Sequence, residues 1–179
     1  MPPHDSRLSS SIGDDVRAVN SSSRDEEDLP EILRGAFGSV GGFVRYYNLV
    51  SRDTYEGDLR RVTERHGLGV MPYFSLASGF LTGKYRLDAA ASVQSARAGR
   101  AAKYLQTERG RGVLAALDDI AGAHAARPAT VALAWLAAQP TVVAPLASAR
   151  TIEQLAALLA VESLRLTDAE LARLTEASA

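Results

Sequence analysis

The sequence predicts an α/β protein, and three observations carry that prediction. From about residue 43 onward, apolar runs of strand length alternate with segments of helical spacing. The last two apolar runs each lead directly into a loop of small or polar residues. Capping signals open the closing helices. Alternation of this kind is the signature of parallel βαβ units, which bind ligands at the carboxyl ends of their strands.

Residues 1–42 read differently from the rest. They hold eight serines, the acidic cluster Asp25–Asp28 and a glycine-rich end. Such a segment buries too little apolar surface to offset its ordering entropy, so disorder is expected, with a short helix conceivable over Leu29–Phe37. From residue 43 to 179 the pattern is regular. Phe43–Val50 reads as a strand, and Tyr55–His66 as a helix closed by Gly67. Leu68–Tyr73 is a short, continuous apolar strand, which predicts burial on both faces. An Ala/Arg/Gly-rich loop then runs to about Gln106. Glu108–Ala126 is a helix with Val113, Leu114, Leu117 and Ile120 on one face. Pro128 opens the next helix at a first-turn position and Pro140 closes it. Thr141–Leu146 is a third strand. Thr151–Val161 and Thr167–Ala177 are helices, each opened by a capping box (Thr151 with Gln154, Thr167 with Glu170).

Charge and composition narrow the function classes. Residues 1–42 carry eight acids against four arginines, net −4, and residues 43–179 carry thirteen acids against sixteen bases, net +3. The bases are scattered through helical patterns, which argues against nucleic acid as a partner. There is no cysteine, no signal-peptide pattern and no apolar run of membrane-spanning length. The expectation is a cytoplasmic protein without a membrane partner. No His/Asp/Glu spacing resembles a metal site. Of the basic residues, 18 are arginine and only Lys84 and Lys103 are lysine. A lysine kept against that bias suits a point charge for phosphate.

Two stretches could carry chemistry. Val70–Tyr85 reads VMPYFSLASGFLTGKY: a strand end, then Ser75, Ala77, Ser78 and Gly79, then Gly83 and Lys84. Small residues let a backbone approach a ligand, and exposed N–H groups beside an ammonium suit phosphate. The same residues can equally be an ordinary turn. Ala147–Thr151 lies between the last strand and a capped helix, where free N–H groups, Ser148 and Arg150 could hold an anion. Alternatively Ser148 and Thr151 only cap the helix and Arg150 is solvated. His66 and His124 fall at helix ends, Trp135 on an apolar stripe, and Arg60, Arg61 and Arg65 on a solvated edge.

Taken together, YYNLVSRDTYEGDL (46–59), GLGVMPYFSLASGFLTGKYR (67–86), PATVALAWLAAQP (128–140), APLASARTIEQL (144–155) and LRLTDAELARLTEAS (164–178) resemble the aldo-keto reductase family, in its order and near its spacing. The resemblance implies part of a (β/α)8 TIM barrel, about its last three strands with their helices. It also implies an NADPH/NADP cofactor and reduction of an aldehyde or ketone. By the same resemblance, Tyr73 stacks on the nicotinamide. Phe74, Ser75, Leu76, Ala77, Ser78 and Lys84 line the pyrophosphate. Ser148, Arg150 and Gln154 hold the 2′-phosphate and adenine end, and the loop after Tyr85 folds over the cofactor.

The sequence departs from the family at several places. The family's catalytic Asp, Tyr, Lys and His lie in its N-terminal half, and residues 1–42 do not resemble that half. Val44 stands where a carboxamide-binding glutamine is usual, and Ala157 and Leu158 where acidic and Asn residues are frequent. The expectation is therefore a C-terminal remnant, produced by truncation or frameshift, that keeps cofactor-binding groups and no catalytic residue. Two alternatives stand beside it: one chain of a split oxidoreductase completed by an N-terminal partner, or a non-enzymatic module binding NADP(H) or a protein. Open strand edges and an uncovered barrel wall favour self-association or such a partner.

Overall fold

A computed structural model describes residues 42–85 and 98–179. The disorder and short helix expected before residue 42, and the first part of the loop after Tyr85, lie outside the described residues.

Strands β1 (Gly42–Tyr46) and β2 (Gly69–Tyr73) pair in parallel, with Tyr46 opposite Tyr73. Helix α1 (Asp58–Arg65) forms the crossover. The first strand is shorter than Phe43–Val50 because the chain turns at Asn48. The Asn48 side-chain oxygen accepts from Val50 N at 3.0 Å, and Asn48 and Ser51 close a backbone bridge. An asparagine that satisfies an N–H two residues on competes with the ladder. Helix α1 likewise starts at Asp58, not Tyr55, after a turn that ends at Gly57.

The third strand, expected over Thr141–Leu146, is an extended segment without a full ladder. Val142 bridges Val70 in parallel; Val70 N donates to Thr141 O at 2.7 Å, Val143 N to Val70 O at 2.9 Å and Leu146 N to Pro72 O at 2.8 Å. Pro72 and Pro145 have no N–H to give, so the ladder is interrupted. Strand β2 is thus hydrogen-bonded on both edges. Its faces differ: Val70 and Pro72 are buried while Gly69, Met71 and Tyr73 are half-buried. The apolar run therefore does not bury both faces, as its continuity predicts; alternate residues stay partly open.

Helix α2 (Ala98–Leu105) occupies the end of the stretch expected to be loop. Ala101 and Leu105 are buried, and the Tyr104 ring packs 5.2 Å from that of Phe80. A Cβ on Gly110 would sit 2.0 Å from the Tyr104 carbonyl oxygen, so the turn from α2 into α3 (Glu108–Ala123) demands glycine. The apolar face of α3 is buried as its spacing predicts, through Val113, Leu114, Leu117 and Ile120. Helix α4 (Pro128–Ala137) has Pro128 in its first turn. Helix α5 (Ile152–Leu159) runs on into a 3₁₀ turn, Ala160–Glu162, and α6 (Asp168–Ala177) ends the chain.

The core sits where α3, α4 and α6 meet the turn after β1. Trp135 is fully buried, its ring 5.9 Å from Tyr47 and its Nε1 donating to Thr175 Oγ1 at 3.0 Å. Arg52 clamps the same region. Nε and Nη2 donate to Glu56 at 2.8 Å, Nη1 to Thr175 O at 2.7 Å and Ser178 Oγ at 2.9 Å, and the guanidinium lies 5.8 Å from the Trp135 ring. The capping box predicted for α6 is complete, with Thr167 N donating to Glu170 Oε2 at 2.8 Å. That of α5 is half formed. Thr151 Oγ1 accepts from Gln154 N, but the Gln154 side chain accepts from Arg150 N instead of Thr151 N. On the α1 edge, Arg60 pairs with Glu64 and Arg61 with Asp58. Among the described residues, no helix is long and apolar enough to cross a membrane.

Candidate functional site

The two loops that follow β2 and the 141–146 segment face each other across one cleft of about 1040 Å³. That volume is at the top of the range of small-molecule sites, roughly 300–1,000 Å³, and suits an extended ligand better than a small one. Every candidate ligand residue except Ala77 lines it: Tyr73 to Leu76, Ser78 and Lys84 on one side, and Ser148, Arg150 and Gln154 on the other. Ala77 is fully buried beneath.

The first lip is held in an unusual backbone. Phe74, Ala77 and Ser78 have φ of 56°, 48° and 58°, and Gly79 has φ 92°. For residues other than glycine such conformations cost on the order of 1–3 kcal/mol each, and persist only where the surroundings over-determine them. Gly79 serves a second end: a Cβ there would come 3.4 Å from Lys84 Cε and Nζ, so the ammonium lies close on its backbone. Lys84 Nζ also sits 5.0 Å from the Tyr85 ring centre, a cation–π contact that fixes the ammonium.

Ser75 behaves differently from an ordinary ligand contact. It is 1% exposed, and its Oγ lies 3.0 Å from Pro72 O and 2.9 Å from Leu146 O, sharing one proton between them. Its hydroxyl thereby staples the two lips together. Asn48 reaches the lip from below, its Nδ2 donating to Phe74 O at 3.0 Å. The rings of Tyr46 and Tyr73 meet edge to face at 5.6 Å, and Tyr46 packs 5.3 Å from Phe74. The Tyr46 hydroxyl reaches Tyr104 Oη at 3.4 Å. Burial, reinforced by Tyr104, pushes its pKa up to about 12.

The second lip is a helix start. Thr151 caps α5, and the Gln154 side-chain oxygen takes the Arg150 N–H at 2.9 Å, so the Gln154 amide NH2 is what it can offer a ligand. Arg150 is exposed at the cleft. Arg127, immediately before α4, is a third cation lining the cleft. Sequence reasoning does not find it; a lone arginine ahead of Pro128 looks like any solvated helix-start charge. Glu153 is the acid on this lip, its carboxyl held below the usual range by its own backbone N–H and the Thr151 hydroxyl. Lys84, Arg127 and Arg150 against Glu153 leave a cationic cleft, and the start of α5 adds its dipole. The arrangement suits an elongated anion with an aromatic end near Tyr73.

Elsewhere the chemically suggestive residues are engaged in structure. His66 caps α1, and His124, at the end of α3, places Nε2 2.7 Å from Glu170 Oε1. Asp119 pairs with Arg173. Among the described residues no group of His, Asp or Glu is placed to hold a metal ion.

Comparison with known proteins agrees with the motifs. The sequence model of the Aldo/keto reductase family matches residues 22–179, reaching further upstream than the stretches that carry the resemblance. Protein tas of Escherichia coli is 33% identical over 132 residues, covering 73% of this chain and 35% of that protein. The uncharacterized oxidoreductase YrpG of Bacillus subtilis is 34% identical over 110 residues, covering 61% of this chain and 31% of that protein. Probable aldo-keto reductase 1 of Glycine max is 25% identical over 131 residues, covering 73% and 38%. The chain spans about a third of the length of these relatives.

Proposed function

This chain belongs to the aldo/keto reductase family, and from that premise we propose that it is the NADP(H)-binding, C-terminal part of a (β/α)8 reductase barrel. The family generally uses NAD(P)H, which supplies hydride to a carbonyl carbon. The single observation that carries the reading is the cleft itself. Its two lips come from distant parts of the sequence, and together they present Tyr73, Lys84, Arg127 and Arg150 to one elongated space. Lys84 and the left-handed turn before it suit a pyrophosphate. Arg150, Ser148 and the N-terminus of α5 suit a further phosphate, and this favours NADPH over NADH.

We propose further that the chain does not reduce carbonyls unaided. Carbonyl reduction needs a proton donor set against the carbonyl oxygen. The hydroxyls of Tyr46, Tyr55 and Tyr104 bond to other hydroxyls, and that of Tyr47 donates to Glu56 at 2.7 Å. Burial, with Glu56 beside it, pushes Tyr47 up in pKa, and Tyr46 is raised as well. Both shifts run opposite to what a donor near neutrality needs.

Titration of the chain with NADPH, followed by nicotinamide fluorescence, tests the reading. Saturable binding is expected, weakened at least tenfold by Lys84→Ala or Arg150→Ala. Absence of binding at millimolar NADPH overturns it. A second reading, one chain of a split oxidoreductase, is favoured by Val143, Ile152 and Leu159, which are 70%, 82% and 64% exposed. Co-expression with a chain carrying the N-terminal half of a relative would then give a complex that oxidises NADPH; neither complex nor oxidation sinks it.

A further inference from the structure

We propose that Asn48 is a positioning residue for the dinucleotide cradle, acting through the left-handed backbone of Phe74. The inference rests on the NADP(H) reading and adds to it a residue outside the cleft. Asn48 is fully buried and makes bonds of opposite kind at its two ends: Nδ2 donates to Phe74 O and Oδ1 accepts from Val50 N, both at 3.0 Å. That pairing fixes which way the amide points. Its own backbone is locked by the two-way bridge to Ser51, with N to O distances of 3.4 and 3.0 Å. Asn48 is therefore a rigid post, not a side chain that found a partner.

What the post holds is the first strained residue after β2. Phe74 has φ 56°, and its carbonyl accepts both the Asn48 amide and the Ala77 N–H, the latter at 2.8 Å. The direction of that carbonyl sets the turn that carries Ala77 and Ser78 into their own left-handed conformations. It thereby sets where the backbone and Lys84 meet a pyrophosphate. A phenylalanine leaves that conformation readily unless its carbonyl is pinned. Only an amide can pin it while also taking the Val50 N–H. A carboxylate at position 48 has no donor for Phe74 O, and an apolar side chain serves neither group.

The experiment compares Asn48→Asp and Asn48→Ala with the unmodified chain, using NADPH and adenosine 2′-monophosphate, which has no pyrophosphate. Calorimetric titration and circular dichroism are the readouts. The expected result is a loss of at least tenfold in NADPH affinity, with adenosine 2′-monophosphate unchanged within twofold and the helical signal retained. Glycine adopts a positive φ without strain. With Phe74→Gly alone as the reference, adding Asn48→Ala should therefore change NADPH affinity by less than threefold. Unchanged NADPH affinity in the single Asn48 variants, parallel loss of both ligands, or a loss in the Phe74→Gly background as large as in the unmodified chain each overturns the proposal. If the single Asn48 variants do not fold, the Phe74→Gly background decides: failure of Asn48→Ala to fold there, or a tenfold loss relative to Phe74→Gly alone, also overturns it. If the unmodified chain itself fails to bind NADPH, the functional reading has failed, and the role of Asn48 with it.

Discussion

Helices α4 and α5 are both built on alanine and leucine and end in opposite environments. Helix α4, PATVALAWLA, buries eight consecutive residues, Ala129 to Leu136. Helix α5, IEQLAALL, buries none. Both are rich in alanine and leucine; α4 begins with Pro128 in its first turn and no side-chain cap, α5 with the Thr151 cap. The difference is what covers them. Helix α4 is enclosed by α3, by the 3₁₀ segment Ala77–Thr82 and by the aromatic cluster around Trp135. Helix α5 leans on α4 along one side, where Thr130 Oγ1 donates to Ala157 O at 2.8 Å, and gives Gln154, Ala157 and Leu158 to the cleft. Ile152, Leu155 and Leu159, at i, i+3 and i+7, form a separate stripe that faces outward. Apolarity in a sequence records what a helix can bury; only the fold shows whether a neighbour is there.

The sharpest way to break this comparison is to truncate each helix in turn. Trp135→Ala should cost about 3–5 kcal/mol, the range for emptying a fully packed aromatic site. Leu155→Ala should stay within about 0.5 kcal/mol, as for surface changes. Urea unfolding monitored by circular dichroism measures both; comparable losses would mean that something covers α5 in solution. The next effect belongs to the enclosed side. Arg52→Met keeps much of the packing against Trp135 but strands Glu56, which now accepts from Arg52 and Tyr47. Burial alone would raise the Glu56 pKa; those two bonds outweigh it and hold it down. The expected loss is about 2 kcal/mol, between that of an exposed and a buried pair. A loss below about 0.5 kcal/mol would show that the clamp on the C-terminus does not stabilise the core.

The same contrast explains what the sequence could and could not reveal. Spacing identifies α3, α4 and α6 because their periodic apolar residues are in fact packed; Trp135 and Leu117 lie where the stripe puts them. That Tyr73, Lys84, Ser148 and Arg150 line one cleft is in keeping with a local signal, strand ends followed by small residues. Helix α2 escapes because its contacts are long-range: Ala101 and Tyr104 pack on a segment some 20 residues earlier, and the composition alone reads as loop. The third strand is overestimated because Pro145 and the proline in β2 break the ladder, a pairing matter that a single run does not display. That Arg127 lines the cleft and that Asn48 bonds the Phe74 carbonyl are invisible in the sequence for a like reason. Their meaning lies in what they face.

A smaller effect separates the two capping boxes. Thr167→Ala should cost about 1 kcal/mol, and Thr151→Ala less, because only the first box is closed on both sides. The closed box also carries a pH dependence. The Thr167 backbone N–H lowers the Glu170 pKa, slight burial opposes this, and His124 and the Thr167 hydroxyl add to the lowering. A carboxyl whose folded pKa lies below its unfolded value stabilises the fold above the unfolded value, roughly pH 4.3. That contribution is lost as pH falls through the folded pKa. The difference in Tm between the unmodified chain and Glu170→Gln should thus close on acidification below about pH 5. A difference that persists unchanged to pH 3 would assign the stabilisation to shape, not charge.

The smallest effect on stability is the most informative about α5. Ile152→Glu and Leu159→Glu, made together, place charges where the side chains are already 82% and 64% exposed, so unfolding should change by less than about 0.5 kcal/mol. The two introduced carboxylates would lie about two turns apart, too far for mutual repulsion to matter at physiological salt. What should change is association. Val143 and Leu146 are exposed as well, and apolar surface of this kind draws a protein into contact with itself or a partner. Light scattering across a concentration series should show the unmodified chain growing in mass and the double variant remaining monomeric. If both scatter alike while stability is untouched, the stripe is an exposed surface without a docking role. If instead the double variant unfolds, α5 is covered in solution, and the contrast with α4 disappears.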